Sequence, residues 1–267
     1  MFYKHGMNLA LYRAIGEHQD YWEMQYQSVS LPQIFQSAQT GVLGEFELPF
    51  MQYLPQQGTI LEAGCGTGKY VWALRARGYQ VEGIDYAVET INRIHQVDAT
   101  LNVRVGDIYA IDRPDNHYAA YISIGVLEHN YGGQDAGLAE AYRVLRSGGI
   151  GLISVPYLNG PRRRIWRASP EAVAPELPGG LRFYQDHLDI QTFNLQLEKA
   201  GFQLLEQFPY LLFGGLIRDW RLGRWLNQRE FFSWRLSQFI KRLCQVSPVV
   251  IRRDLSHMML FVVQKPK

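Results

Sequence analysis

The stretch ILEAGCGTGKY at residues 60–70 places three glycines, Gly64, Gly66 and Gly68, directly behind a short apolar run. A chain that turns so tightly at the end of a strand and then enters a helix is a ligand-cradling loop of an open α/β sheet. Two common forms of such a loop fail here. The triphosphate loop needs GxxxxGK followed by a hydroxyl, yet Ala63 stands at its first glycine and Tyr70 at its hydroxyl. The dinucleotide fingerprint GxGxxG ends on Lys69, where close helix–strand packing excludes a long side chain. What remains is GxGxG, with Glu62 two residues before it and Asp85 closing the next apolar run, 21 residues after Gly64.

The rest of the chain keeps the rhythm that such a loop demands. Apolar runs at 59–65, 80–86, 102–108, 118–126 and 151–157 read as strands, and helical patterns at 68–77, 87–97 and 134–146 lie between them. In the last of these, Leu138, Ala141, Tyr142 and Leu145 share one helix face, and Gly148–Gly149 mark its end. A helix at 188–200, a strand at 203–210 and the closing HMMLFVVQ complete the series. Strands alternating with helices imply βαβ units. The expected fold is therefore α/β: a Rossmann-like, seven-stranded, mostly parallel sheet with helices on both faces, the last strand pairing antiparallel at the edge. Residues 1–57 are expected to form an N-terminal helical cap. The domain proper is expected over 58–267, with insertions at about 158–187 and 211–256.

Composition narrows the function classes. A net charge of +2 on 267 residues gives no global field for nucleic acid, so any basic patch is local. Two cysteines, Cys65 and Cys244, outside any CxxC or Cys/His cluster, argue against a disulfide framework or a zinc site and for a reducing cytoplasm. No uncharged stretch reaches the roughly 20 apolar residues of a membrane span.

Five motifs in order resemble the class I S-adenosylmethionine-dependent methyltransferases: LEAGCGTG, VEGIDYA, RVGDIYAI, YAAYISIGVLEH and RVLRSGGIGLISVP, with LEKAGFQLLE entering the next strand. The resemblance runs from about residue 58 to 204 and implies S-adenosyl-L-methionine as cofactor. It also implies roles. The backbone of Gly64, Cys65, Gly66 and Gly68 would hold the amino-acid end, with Glu62 reinforcing from beneath. Asp85 would accept the two ribose hydroxyls and Asp107 the adenine amino group. Tyr86 and Ile108 would sandwich the adenine, and Gly106 and Ile124 are further cofactor-binding candidates. Cys65 itself reads as a small buried residue rather than a nucleophile.

The segment VLEHN resembles the EVLEHV of ubiquinone-biosynthesis O-methyltransferases, in which acids and a histidine bind a divalent metal. Here Gly125 replaces the first acid, so no metal is expected. His129 is the candidate catalytic base or substrate contact; a capping or structural role is its alternative, and His187 is the second candidate. The expected acceptor is a small or lipid-like molecule methylated at oxygen or carbon. The competing readings are a non-catalytic cofactor-binding scaffold or regulator and a nucleic-acid methyltransferase, although no RNA-binding module accompanies the arginines of NGPRRRIWR. Aromatics at Trp22 and Tyr26 share one helix face and either lid the cofactor or pack the helix. Between 210 and 255 nine Lys/Arg face three Asp/Glu, and Phe232, Leu236, Phe239, Ile240 and Leu243 form one apolar stripe. That stripe is expected chiefly to cover the acceptor pocket, with peripheral contact to a membrane through 211–256 second.

Overall fold

The computed structural model describes residues 1–212 and 249–267. Its centre is a seven-stranded sheet built from β3 (Ile60–Ala63), β4 (Val81–Asp85), β5 (Val103–Val105), β6 (Tyr118–Ile124), β7 (Leu145–Pro156), β10 (Gln203–Tyr210) and β11 (Met258–Gln264). The order across the sheet is β10-β11-β7-β6-β3-β4-β5. The strands β3 to β7 pair in parallel, while β11 runs antiparallel to both of its neighbours. Every residue of β3 and β4 is buried, as a parallel sheet covered on both faces requires. The strand order reverses between β3 and β6, which opens a crevice at their carboxyl ends.

Helices cover both faces: α2 (Leu31–Ala38), α3 (Glu47–Tyr53), α4 (Lys69–Ala76), α5 (Val88–Val97), α6 (Asp135–Val144) and α8 (Ile190–Lys199). One core layer gathers around Trp72, Phe50 and Ile60, the other around Tyr121, Phe193 and Phe261. Helix α6 stops at Val144, two residues earlier than its pattern extends, because Leu145 is drawn into the ladder opposite Tyr118.

The N-terminal region differs from expectation. Residues 1–57 are not a helical cap throughout. They open with a hairpin of β1 (Phe2–His5) and β2 (Asn8–Ala14) that turns at Gly6, φ +58°. The strands belong to a second, antiparallel sheet, β1-β2-β9-β8, completed by β8 (Glu176–Leu177) and β9 (Leu181–His187). A lone hairpin would be marginal in water. This one is held because Tyr12 packs edge-on against Tyr3 at 5.1 Å and Phe183 at 5.9 Å. The N terminus and the segment expected as the first insertion thus fold as one unit. Helix begins only with α1 (His18–Gln27), and α7 (Gly160–Ala168) lies within the first insertion. Of the segment 211–256, Leu211 and Leu212 and the residues from 249 on, including α9 (Val249–Leu255), are described, and the stripe from Phe232 to Leu243 lies outside the described residues. Among the described residues no helix is long and apolar enough to cross a membrane.

Candidate active site

The glycine loop forms the floor of a cavity of about 650 Å³ at the carboxyl ends of β3 to β6, a size ordinary for a small-molecule site. All three loop glycines adopt positive φ, +78° at Gly64, +49° at Gly66 and +72° at Gly68. A Cβ at Gly64 would lie 2.5 Å from the Val126 side chain, and one at Gly66 would lie 3.0 Å from the Tyr26 hydroxyl. The backbone is therefore bare where it meets the cavity, and Gly68 in the left-handed region starts α4.

Asp85, at the end of β4, is buried and accepts the Gly66 amide at 2.8 Å and the Ala87 amide at 3.0 Å. Burial pushes its carboxyl above the usual range, and the backbone donors partly offset that. A carboxylate has about four acceptor sites, so the backbone amides do not exhaust it and a hydroxyl donor from the cavity can still be accepted. Glu62 lies beneath the loop, 3% exposed, with Oε2 lacking any partner among the described residues. Burial raises it to about 8. An unpartnered buried carboxyl oxygen costs free energy, and a cationic amino group held on the loop would supply the missing charge.

The roof comes from α1. His18, Trp22 and Tyr26, four residues apart, share one helix face and line the cavity. The Trp22 and Tyr26 rings stack at 5.6 Å, and Trp22 meets the His129 ring edge-on at 5.0 Å. None of the residues of α1 is buried, so hydrogen bonds rather than a core hold it. Glu23 accepts the amides of Glu89 and Thr90, capping α5, and Arg93 donates to the carbonyls of Tyr26 and Val29.

His129 sits in the wall, in a short 3₁₀ turn after β6. Its Nδ1 donates to the Tyr184 carbonyl at 2.6 Å. That carbonyl is available because Tyr184 is the extra residue of a bulge: Leu11 pairs with Gln185 and Tyr12 with Phe183, leaving Tyr184 outside the ladder. Burial lowers His129 to about 4, so near neutral pH the ring is uncharged with its lone pair on Nε2. Next to it Glu128 is buried, pushed up to about 8 by burial, with Oε1 3.9 Å from His129 Nε2. At pH 7 both side chains are mainly neutral.

Among the residues singled out from sequence, Gly64, Asp85, Tyr86, Asp107, Ile108, Ile124 and His129 line this one cavity. Glu62, Cys65, Gly66, Gly68 and Gly106 lie behind the wall. Gly106 donates its amide to the Asp85 carbonyl, and Cys65 packs under Gly83. Burial raises the Cys65 thiol, which keeps it inert. His187 is brought elsewhere: it is buried in the small sheet, bonded to the Leu9 carbonyl, and lies outside the cavity. Sequence reasoning missed His18, Tyr109, Val126 and Asn130. The i, i+4, i+8 spacing of His18 with Trp22 and Tyr26 was the available signal. No group of three His, Cys, Asp or Glu arranged for a metal occurs among the described residues.

Comparison with known proteins agrees with this architecture. Residues 60–149 match the family model described as a methyltransferase domain. A protein of Mycolicibacterium smegmatis described as a probable S-adenosylmethionine-dependent methyltransferase is 30% identical over 145 residues, 54% of this chain and 52% of that protein. A malonyl-[acyl-carrier protein] O-methyltransferase of Serratia marcescens is 36% identical over 95 residues, 36% of this chain and 37% of that protein. The chain thus spans about half, or less, of the length of these curated relatives. Among solved structures, an S-adenosylmethionine-dependent methyltransferase from Methanosarcina mazei shares the fold, with a TM-score of 0.55 at 16% identity over 82% of this chain and 97% of that one.

Proposed function

We propose that the chain is a class I S-adenosylmethionine-dependent methyltransferase, a reading supported by the methyltransferase-domain match at residues 60–149 and by the relative 30% identical over 145 residues, and that it methylates a small-molecule or lipid-like acceptor at an oxygen. One observation carries the oxygen assignment: a neutral His129, its Nδ1 tied to a carbonyl, shares a cavity with the glycine loop and Asp85.

The bound cofactor supplies a methyl group already activated on a sulfonium. The residues present fit such a molecule. Asp85 can still accept a ribose hydroxyl, the bare loop admits a close backbone contact for the carboxylate, and the orphaned Glu62 oxygen suits the ammonium. Trp22 and Tyr26 roof the cavity, and alignment of reactants beneath them is worth roughly 7–11 kcal/mol. His129 Nε2 takes the proton from the acceptor hydroxyl as the new C–O bond forms, a contribution of about 10²–10⁴-fold. The relatives named malonyl-[acyl-carrier protein] O-methyltransferase support an oxygen on an acyl-type acceptor.

Turnover of methyl-labelled S-adenosylmethionine against small-molecule and lipid extracts tests the reading. Label appearing in an alkali-stable or alkali-labile small product supports it. Cofactor that binds but is never consumed would leave a non-catalytic scaffold, and label in RNA would give the nucleic-acid alternative.

A further inference from the structure

No Lys or Arg stands among the described residues lining the cavity, so its charged groups there are the acids Asp85 and Asp107. An unassigned cation lies outside that lining, near the His129 wall. Arg13, exposed on β2, is placed directly across the ladder from Arg182 on β9. Like charges facing each other on one sheet face are destabilising. Arg182 resolves its share by pairing with Glu17 and with Glu176 at 3.2 Å. Arg13 has no carboxylate partner among the described residues. Its guanidinium carbon lies 4.1 Å from the centre of the Tyr184 ring, and its only hydrogen bond there is a long one, 3.4 Å, to the Tyr21 hydroxyl.

Tyr184 joins this cation to the reaction centre. It is the bulged residue of β9, its carbonyl holds His129, and its ring centre is 5.0 Å from that of His129. Two consecutive contacts of 4.1 and 5.0 Å set the guanidinium no more than ~9 Å from the imidazole. Contact with the ring uses the guanidinium face and none of its N–H donors, whose fork can grip a carboxylate with two parallel hydrogen bonds.

We propose that Arg13 anchors a carboxylate carried by the acceptor, several bonds away from the oxygen that is methylated. The acceptor class is then a hydroxylated or enolic organic acid, or an acyl chain ending in a carboxylate. This rests on reading the cavity as an acceptor site and names the substrate class for it. It gives the bulge in β9 a second purpose, because one residue sets both the proton acceptor and the anionic anchor.

The test uses the full chain loaded with S-adenosylhomocysteine, titrated calorimetrically with malonate and glutarate, with their dimethyl esters, and with inorganic phosphate. Binding of a dicarboxylate, weakened about tenfold or more in its diester and in Arg13→Gln, is the expected result. Arg13→Lys should fall between the two, since an ammonium keeps the charge but not the fork. Affinity for S-adenosylhomocysteine should be unchanged in both variants. Dicarboxylate binding that is absent, indifferent to Arg13→Gln, matched by the diester or surpassed by phosphate overturns the proposal. Failure of the wild-type chain to bind S-adenosylhomocysteine would instead sink the methyltransferase reading. The same titrations on the cofactor-free chain would then still decide the role of Arg13.

Discussion

At the floor of the cavity the glycine loop, its three glycines at φ between +49° and +78°, presents bare backbone at Gly64, whereas the roof, α1, consists of side chains on a helix with no buried residue, and the wall takes His129 from a turn tied to the bulge of β9. The floor is rigid because fully buried strands hold it on both sides. The roof is held by Glu23 and Arg93 against α5 and by ring contacts. A ligand common to many proteins can be held by backbone, which any side chain of the right size class supports. Discrimination between acceptors needs side chains, and these are recruited from parts of the chain far apart in sequence.

The sharpest way to break this contrast is to give the floor a side chain. Gly64→Val should abolish cofactor binding, a loss of at least about 100-fold in calorimetry, because the new atoms meet Val126 and the backbone sits at φ +78°. A variant that binds normally would mean the loop does not face the ligand.

On the wall, His129→Gln should lower kcat by about 10²–10⁴-fold with cofactor affinity preserved. The wild-type rate should show no histidine limb near pH 6.5, since His129 titrates at about 4. Equal losses in kcat and in cofactor affinity would make His129 a structural residue.

Asp85→Asn should weaken S-adenosylhomocysteine binding by roughly 1.5–3 kcal/mol, the scale of hydrogen bonds to a charged group. Trp22→Ala in the roof should cost less, about tenfold in kcat/KM for the acceptor, with little effect on cofactor affinity. The reverse order of these two would invert the division between floor and roof.

The smallest effects concern pH and metal. Glu62 is raised from 4.5 to about 8 in the folded protein. Its contribution is therefore complete below pH 4.5 and lost as pH rises through 8, so Glu62→Gln should gain thermal stability relative to wild type across that window. His129, lowered from 6.5 to about 4, acts oppositely: its contribution is present above pH 6.5 and lost as pH falls toward 4. A Tm difference between wild type and Glu62→Gln that is flat from pH 5 to 9 would contradict the buried carboxyl. A chelator should leave turnover unchanged, because Gly125 removes an acid from the metal-binding pattern; loss restored by magnesium would refute this.

The order of strands and helices from 59 to 157 and the positions of the loop glycines, Asp85, Asp107, Ile108 and His129 could be read from the sequence. The strand order, the glycines and the place of Asp85 depend on local rules, a period of two or of 3.6, a glycine where φ must be positive and an acid at the end of a buried strand, whereas Asp107, Ile108 and His129 follow from the resemblance to the methyltransferase motifs. The hairpin at 2–14 could not, because strands pair with partners that periodicity does not name, here β9 some 170 residues away. Nor could the tautomer and low basicity of His129, which follow from burial and from a carbonyl freed by a bulge in that distant strand. Local sequence determined the floor, since a backbone conformation is a property of a few adjacent residues. Tertiary structure alone decided the protonation state of His129 and the pairing of the second sheet, since electrostatics and desolvation are properties of everything packed around a group.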